Sequence, residues 1–139
     1  MKFKPTKGGD ATGAVTITDD AFNSPQVISL SGVGTIVKVT PPALSFGNVN
    51  VGQTSSPQPV TVSNVGNVVL NVAVPTFTGP NAGDFAETDN CQPTVPKQSS
   101  CTINVTFTPH GAGVRTATLN INDDGGASPQ TVSLSGNGQ

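Results

Sequence analysis

Apolar and polar residues alternate along most of the chain after residue 36. A period of two is typical of β-strands that bury one face. The pattern predicts seven strands within 36–139, in the stretches VKVTPPALSF, PVTVSN, VVLNVAV, FAE, CTINVTF, RTATLNI and QTVSLSG. No stretch with a period of 3.6 is longer than one turn, and only GPNAGDF is predicted to form a short helical turn.

The alternation also predicts which side chains form the core. These positions are Val37, Val39, Leu44, Phe46, Val60, Val62, Leu70, Val72, Val74, Phe85, Cys101, Ile103, Val105, Phe107, Ala117, Leu119, Ile121, Val132 and Leu134. Turn-forming sequences separate the strands, and Pro41 and Pro42 interrupt the first one, which suits an edge strand or a change of sheet. The sequence therefore predicts an all-β, immunoglobulin-like antiparallel β-sandwich of about seven strands.

The chain also contains an internal repeat. SPQVISLSGVG at 24–34 returns as SPQTVSLSGNG at 128–138, and residues 1–35 align with 105–139 without a gap at an offset of 104, with 15 of 35 positions identical. The alignment pairs Phe3 with Phe107 and keeps two Asp-Asp pairs in phase. We predict that 1–35 is the C-terminal part of a preceding repeat, with two strands, and that 36–139 is a complete repeat.

Composition narrows the classes of function. Charged residues are 10% of the chain, the net charge is −2, and the six Lys and Arg are scattered singly. This gives no electrostatic footprint for nucleic acid or anionic lipid. No run of 18 apolar residues predicts a membrane span. The start, MKFKPTKGGD, has no apolar core of a signal peptide. Export would be signalled elsewhere, or the chain is cut from a longer one.

Several motifs in this order are similar to one known family. LSFGNVNVGQTSSPQPVTVSNVGNVVL, GPNAGDF, SCTINVTFTP and SPQTVSLSGNG resemble the bacterial Hydin-like repeat of the abnormal-spindle/Hydin (ASH) group, choice-of-anchor D type. The resemblance covers 36–139 and, as a partial copy, 1–35. It implies an immunoglobulin-like fold related to PapD-type sandwiches, tandem arrangement in secreted or surface bacterial proteins, and no enzymatic activity.

The two cysteines, Cys91 and Cys101, fit a disulfide, half of a metal site or two free thiols. Zinc would need further ligands, and the single histidine, His110, is predicted in a different loop. We therefore expect a disulfide, which would stabilise the fold by roughly 3 kcal/mol in the chain-entropy model. A disulfide also indicates an oxidising compartment, so we predict an extracellular or cell-surface location.

Other candidate residues have simpler explanations. Asp123-Asp124 and Asp19-Asp20 could bind calcium through clustered carboxylates, but each pair precedes a turn rich in Gly or Ser, where Asp accepts hydrogen bonds from its own backbone. His110 has no nucleophile motif to act with and is expected to be a solvated turn residue. We predict no catalytic, cofactor-binding or metal-binding residues, and no small-molecule ligand.

Three classes of function remain. The first is a structural module that spaces, anchors or assembles parts of a larger protein. The second is a protein- or glycan-binding module, although glycan sites usually need exposed aromatics and the chain has no Trp or Tyr. The third is a strand-complemented subunit of an extracellular filament, because an isolated hairpin within 1–35 would have free edges. Neighbouring repeats or identical subunits, joined by β-strand pairing, are the predicted partners.

Overall fold

The structure is a computed structural model that describes residues 8–139, apart from the side chain of Val33. Phe3 and the other residues before Gly8 lie outside the described part. The described residues form twelve strands and one 3₁₀ turn, Ala82–Asp84. The strands are β1 (Gly9–Ile17), β2 (Gln26–Gly34), β3 (Val37–Thr40), β4 (Ala43–Val49), β5 (Gln58–Asn64), β6 (Leu70–Asn71), β7 (Thr76–Thr78), β8 (Phe85–Asp89), β9 (Thr94–Val95), β10 (Ser99–Phe107), β11 (Gly113–Ile121) and β12 (Gln130–Gly138).

Two four-stranded sheets form the sandwich. One sheet has the order β3-β5-β10-β8 and the other has the order β4-β12-β11-β7. Alternate residues of each strand point into the space between the sheets, so the apolar set of the sequence becomes one continuous core. The prediction of an all-β, immunoglobulin-like sandwich is confirmed, and 18 of the 19 predicted core positions are buried or packed against the core.

The prolines between β3 and β4 mark a change of sheet. β3 is an edge strand of the first sheet and pairs with β5, while β4 is an edge strand of the second and pairs with β12. Among the described residues, β4 and β12 form the one parallel pair of strands, a departure from the all-antiparallel prediction. The extended chain keeps its direction as it crosses between the sheets, and β12 runs the same way.

Three phenylalanines anchor one end of the core. The rings of Phe85 and Phe107 are stacked with centroids 5.0 Å apart, and Phe46 lies within 6 Å of both. Gly136 lies beneath Phe107, where a Cβ would overlap the ring. In a chain without Trp or Tyr, this cluster supplies the large apolar area of the core.

One strand is shorter in the structure than the sequence predicts. In VVLNVAV only Leu70 and Asn71 form a strand, and Val74 is exposed rather than buried. The N–H of Val72 still donates to the carbonyl of Pro93, the residue just before β9, but the N–H of Ala73 donates to the carbonyl of Asn122, at 2.9 Å each, so the backbone leaves the ladder there. The short strands β7 and β9 were not predicted, since each has too few residues to show alternation.

The hairpin β1–β2 lies outside the sandwich and pairs only with itself. Its register matches that of β11–β12 when 104 is added to each residue: Gly9 pairs with Gly34 as Gly113 pairs with Gly138. The turns also correspond, because the N–H of Asp19 donates to Ser24 Oγ and the N–H of Asp123 donates to Ser128 Oγ, both at 2.9 Å.

Candidate functional site

The open end of the β1–β2 hairpin packs on the turn between β11 and β12. A Cβ on Gly126 would overlap the carbonyl oxygen of Gly34, and a Cβ on Gly8 would overlap the backbone of Gly125. The N–H of Ile36 donates to the carbonyl of Gly125 at 2.9 Å. We call this contact, formed by Gly8, Gly9, Gly34, Gly125 and Gly126, the glycine junction. Two backbones meet there at a distance that admits no side chain.

Two aspartates hold the turn of the glycine junction in shape. Asp123 Oδ1 accepts from the N–H of Gly125 at 2.7 Å. Asp124 accepts from the backbone N–H of Asn71 at 2.8 Å and from its side-chain amide at 2.5 Å. These bonds to Asn71 hold the pKa of Asp124 below its usual value, whereas burial raises the pKa of Asp123.

The first aspartate of each pair, Asp19 or Asp123, thus shapes the turn of its hairpin. Asp19 Oδ1 accepts from the N–H of Ala21 at 3.0 Å, an Asx turn like that of Asp123. Within 8–139, no group of three or more His, Cys, Asp or Glu side chains is arranged to hold a metal ion.

The two faces of the β1–β2 hairpin are open to solvent. Ile17 is 44% exposed and Ile28 is 52% exposed. Their counterparts at the offset of 104, Ile121 and Val132, are fully buried. Val15 and Leu30 on the same face are half-buried, so the hairpin leaves partly open the face that its counterpart buries. Phe22, at the tip of the hairpin, is also fully exposed.

Cys91 and Cys101 form a disulfide, with Cα atoms 5.1 Å apart. Both side chains are buried in the core cluster. The bond ties the loop after β8 to the central strand β10. The N–H of Cys91 also donates to Asp89 Oδ1 at 2.6 Å, which fixes the start of that loop.

A buried carboxylate connects the 3₁₀ turn to the loop before β11. Asp84 is only 4% exposed and accepts from Arg115 Nε at 2.5 Å, while His110 Nδ1 lies 2.7 Å from its other oxygen. The Arg115 guanidinium holds the pKa of Asp84 below its usual value and outweighs burial, which raises it. His110 is 67% exposed and thus lies in a solvated turn, as predicted. Sequence alone gave no signal for Asp84, because its partners lie 26 and 31 positions away.

The side chain of Asn64, the last residue of β5, is buried. Its amide donates to the carbonyls of Val68, Val95 and Pro96 at 2.8–3.2 Å, and its oxygen accepts from the N–H of Gly66. This side chain joins three loop segments at the end of β5. The burial of a lone Asn at the end of a strand cannot be inferred from alternation.

A shallow groove of about 330 Å³ crosses the second sheet. Hydroxyl side chains of β11 and β12 line it, among them Thr116, Thr118, Ser133 and Ser135. No charged or aromatic side chain lines the groove, so it offers little to recognise an ionic or sugar ligand. Among residues 8–139, no helix is long and apolar enough to cross a membrane.

Comparison with known proteins places these features in a family and a fold. Residues 35–131 match the family ASH, "Abnormal spindle-like microcephaly-assoc'd, ASPM-SPD-2-Hydin". The structure is similar to the ASH/PapD-like domain of human CEP192 (PapD-like domain 7), with a TM-score of 0.55, 16% identity and coverage of 76% of this chain and 87% of that one. No curated protein sequence matches the chain.

Two bacterial structures share the fold. A protein of unknown function from Porphyromonas gingivalis W83 gives a TM-score of 0.62 at 13% identity, over 96% of this chain and 68% of that one. The VesB protease of Vibrio cholerae gives 0.56 at 20% identity, over 73% of this chain but only 32% of the protease. At these identities the likeness concerns the fold alone.

Proposed function

The chain belongs to the ASH family of immunoglobulin-like, PapD-like modules, and on this premise we propose that it is a non-enzymatic structural or adhesive repeat of a secreted or cell-surface bacterial protein. In this role it spaces, anchors or assembles neighbouring parts of the larger protein through contacts between β-strands. The choice-of-anchor D type remains part of this proposal.

The glycine junction is the observation that carries the proposal. It joins two elements that match in register at an offset of 104 residues. The turn of one copy rests on the open end of the hairpin of the copy before it. A backbone hydrogen bond from Ile36 to Gly125, both within 36–139, holds the residue that follows the hairpin against the same turn. A contact of this kind sets the angle between successive copies, which is what a spacing module requires.

The disulfide and the surface chemistry support the extracellular part of the proposal. Cys91 and Cys101 are paired, and disulfides persist in oxidising compartments. Charged residues make up only 10% of the chain, so polarity comes mainly from Ser, Thr, Asn and Gln. Such a surface has no strong field to steer a nucleic acid or an anionic lipid.

A second candidate function is a strand-complemented subunit of an extracellular filament. The free edges of β1 and β2, together with the exposed Ile17 and Ile28, favour it. Open edges and an uncovered apolar face are the features through which chains add to one another. Light scattering over a range of concentrations separates the two candidates: a constant monomer mass supports the spacing module, and growth of the mass supports the filament.

The location is tested in cells that make the protein. Antibodies raised against the folded chain are applied to intact and to permeabilised cells, and thiols are alkylated before extraction. The proposal predicts labelling of intact cells and no alkylation of Cys91 or Cys101. Labelling only after permeabilisation, with both cysteines alkylated, would contradict it.

A further inference from the structure

The inner face of the β1–β2 hairpin carries apolar residues at the same positions as the face of β11–β12 that is buried in the sandwich. Its apolar positions are Val15, Ile17, Ile28 and Leu30. They correspond to Leu119, Ile121, Val132 and Leu134, each at most 2% exposed. In the complete copy the sheet β3-β5-β10-β8 covers this face. Within the described residues, no sheet covers the inner face of β1–β2.

An aspartate at the turn of each hairpin also corresponds at the offset of 104. Asp124 accepts two hydrogen bonds from Asn71, which belongs to the part of the complete copy that precedes its hairpin. Asp20 is the equivalent aspartate of the first hairpin and lies in an exposed turn. The partner that covers the hairpin is therefore expected to bring an amide like that of Asn71 as well as an apolar sheet.

We propose that the inner face of β1–β2 is a docking surface for a four-stranded sheet of the kind formed by β3, β5, β8 and β10, supplied by a segment that precedes the hairpin in the same polypeptide. Residues 1–35 are then the last third of a repeat, and the docked sheet is the rest of it. The inference rests on the proposed role in a tandem array and names the partner that the array requires.

A second copy of this chain is a less favourable source of the docked sheet than a preceding segment of the same polypeptide. In each copy β11–β12 already covers the sheet β3-β5-β10-β8. If a second copy's β1–β2 replaced it, the displaced hairpin would expose Leu119, Ile121, Val132 and Leu134 in return. The replacement is also smaller, because Gly13 and Val15 stand at the positions of Ala117 and Leu119. The swap therefore gains no apolar burial.

The chain's own sequence provides the test. Met1 aligns with Val105 at the offset of 104, so joining residues 36–104 directly before Met1 restores a full repeat without changing the period. Hydrogen exchange is measured on this extended chain and on the unextended one. We expect the amides of β1 and β2 to exchange roughly 100-fold more slowly in the extended chain, because an isolated hairpin is marginally stable and a core hairpin is protected. The extended chain remains a monomer.

Two neighbouring substitutions separate docking from a general effect of the added segment. Ile28 and Val27 are similarly exposed, at 52% and 60%, but point to opposite faces of β2. In the extended chain Ile28→Asp should remove the protection of the hairpin, since the equivalent Val132 is fully buried. Val27→Asp should retain it, since the equivalent Thr131 is exposed. In the unextended chain the two substitutions should behave alike.

Three other results would overturn the inference that a preceding sheet docks on the hairpin. A hairpin that exchanges equally fast in both chains shows that the sheet does not dock. Equal effects of the two substitutions in the extended chain show that docking does not use the inner face. Protection that appears only in a dimer assigns the partner to a second copy. None of these results changes the cell-surface labelling described above, so a failure here is distinguishable from a failure of the proposed function.

Discussion

Gly126 lies so close to Gly34 that a Cβ on Gly126 would overlap the Gly34 carbonyl oxygen. The same Cβ would lie 2.7 Å from the backbone nitrogen of Gly9. Gly126 also has a φ of +86°, in the region where L side chains are strained. Both the conformation and the close approach therefore require glycine at this position.

The first prediction concerns the role of Gly126 in the glycine junction. Gly126→Ala should speed exchange of the Ile36 amide roughly 10-fold or more, because the added methyl pushes Gly34 away from the turn and Ile36, two residues further on, bonds to Gly125 of that turn. Gly52→Ala is the matched control, since Gly52 has a similar φ of +80° but open space around its Cβ. Each variant should lose about 1–2 kcal/mol from strain. If exchange at Ile36 rises equally in both, the junction has no special role.

The second prediction concerns Asp84 and acid stability. The pKa of Asp84 is lowered by Arg115 in the folded protein. Its contribution is therefore complete above the ordinary pKa of about 4 and is lost as the pH falls through that value towards the lowered one. At neutral pH, Asp84→Asn should cost roughly 1–3 kcal/mol, and the difference from the unmodified chain should shrink below about pH 4. Urea unfolding at several pH values measures it.

The prediction for Asp84 has a control variant, and two other carboxyl groups change stability with pH in the opposite direction. His110→Ala removes an exposed partner of the same carboxylate and should cost far less than Asp84→Asn. Burial raises the pKa values of Glu87 and Asp123, so these groups favour the folded state as the pH falls. For this reason the comparison uses the difference between variant and unmodified chain. A difference that does not depend on pH would contradict the assignment to Asp84.

The third prediction concerns the disulfide. Replacing both Cys91 and Cys101 by Ala should lower the free energy of unfolding by roughly 3 kcal/mol, because the unfolded chain gains the freedom of the opened loop. Guanidinium unfolding of the variant, and of the unmodified chain with and without a reductant, measures the loss. The reductant should destabilise the unmodified chain by a similar amount and leave the variant unchanged. An unmodified chain whose mass shows two free thiols before reduction would contradict the pairing.

The fourth prediction concerns Asn64. Asn64→Ala should destabilise the sandwich by roughly 1–3 kcal/mol, because the buried carbonyl of Val95 and the buried N–H of Gly66 lose their partner. Asn67→Ala, a nearby substitution at an exposed position, should change stability by less than about 0.5 kcal/mol. Thermal unfolding of both variants tests this. Equal losses of stability in the two variants would show that the hydrogen bonds of the buried amide do not stabilise the contact between the loops.

Alternation predicted the core because each long strand has one buried face. Val60 and Val62, or Leu119 and Ile121, could be assigned to the core from spacing alone, and the 104-residue offset predicted the hairpin of the first copy. Prolines 41 and 42 indicated the change of sheet. These features depend on residues close together in the sequence or on the internal repeat, so they can be predicted from one sequence.

The polar contacts could not be predicted in the same way. Asp84 meets Arg115, and Asn64 meets Val95, across 31 positions of sequence in each case. Composition marks neither residue, since Asp and Asn are ordinary in turns. The glycine junction was also hidden, because glycines in a turn indicate flexibility until the structure shows a backbone packed against them. Val74 was placed in the core because a strand pattern continued past the point where the backbone turns away.

A spacing module requires that the glycine junction hold successive copies at a fixed angle. The most direct measurement is the distance distribution between two nitroxide labels, one at Ser29→Cys on the hairpin and one at Thr131→Cys on the sandwich, by pulsed electron paramagnetic resonance. In the chain extended by residues 36–104 before Met1, where the hairpin is covered, a fixed angle gives a single narrow distribution that broadens when Gly126→Ala is added. A distribution that is already broad with Gly126 in place would contradict it.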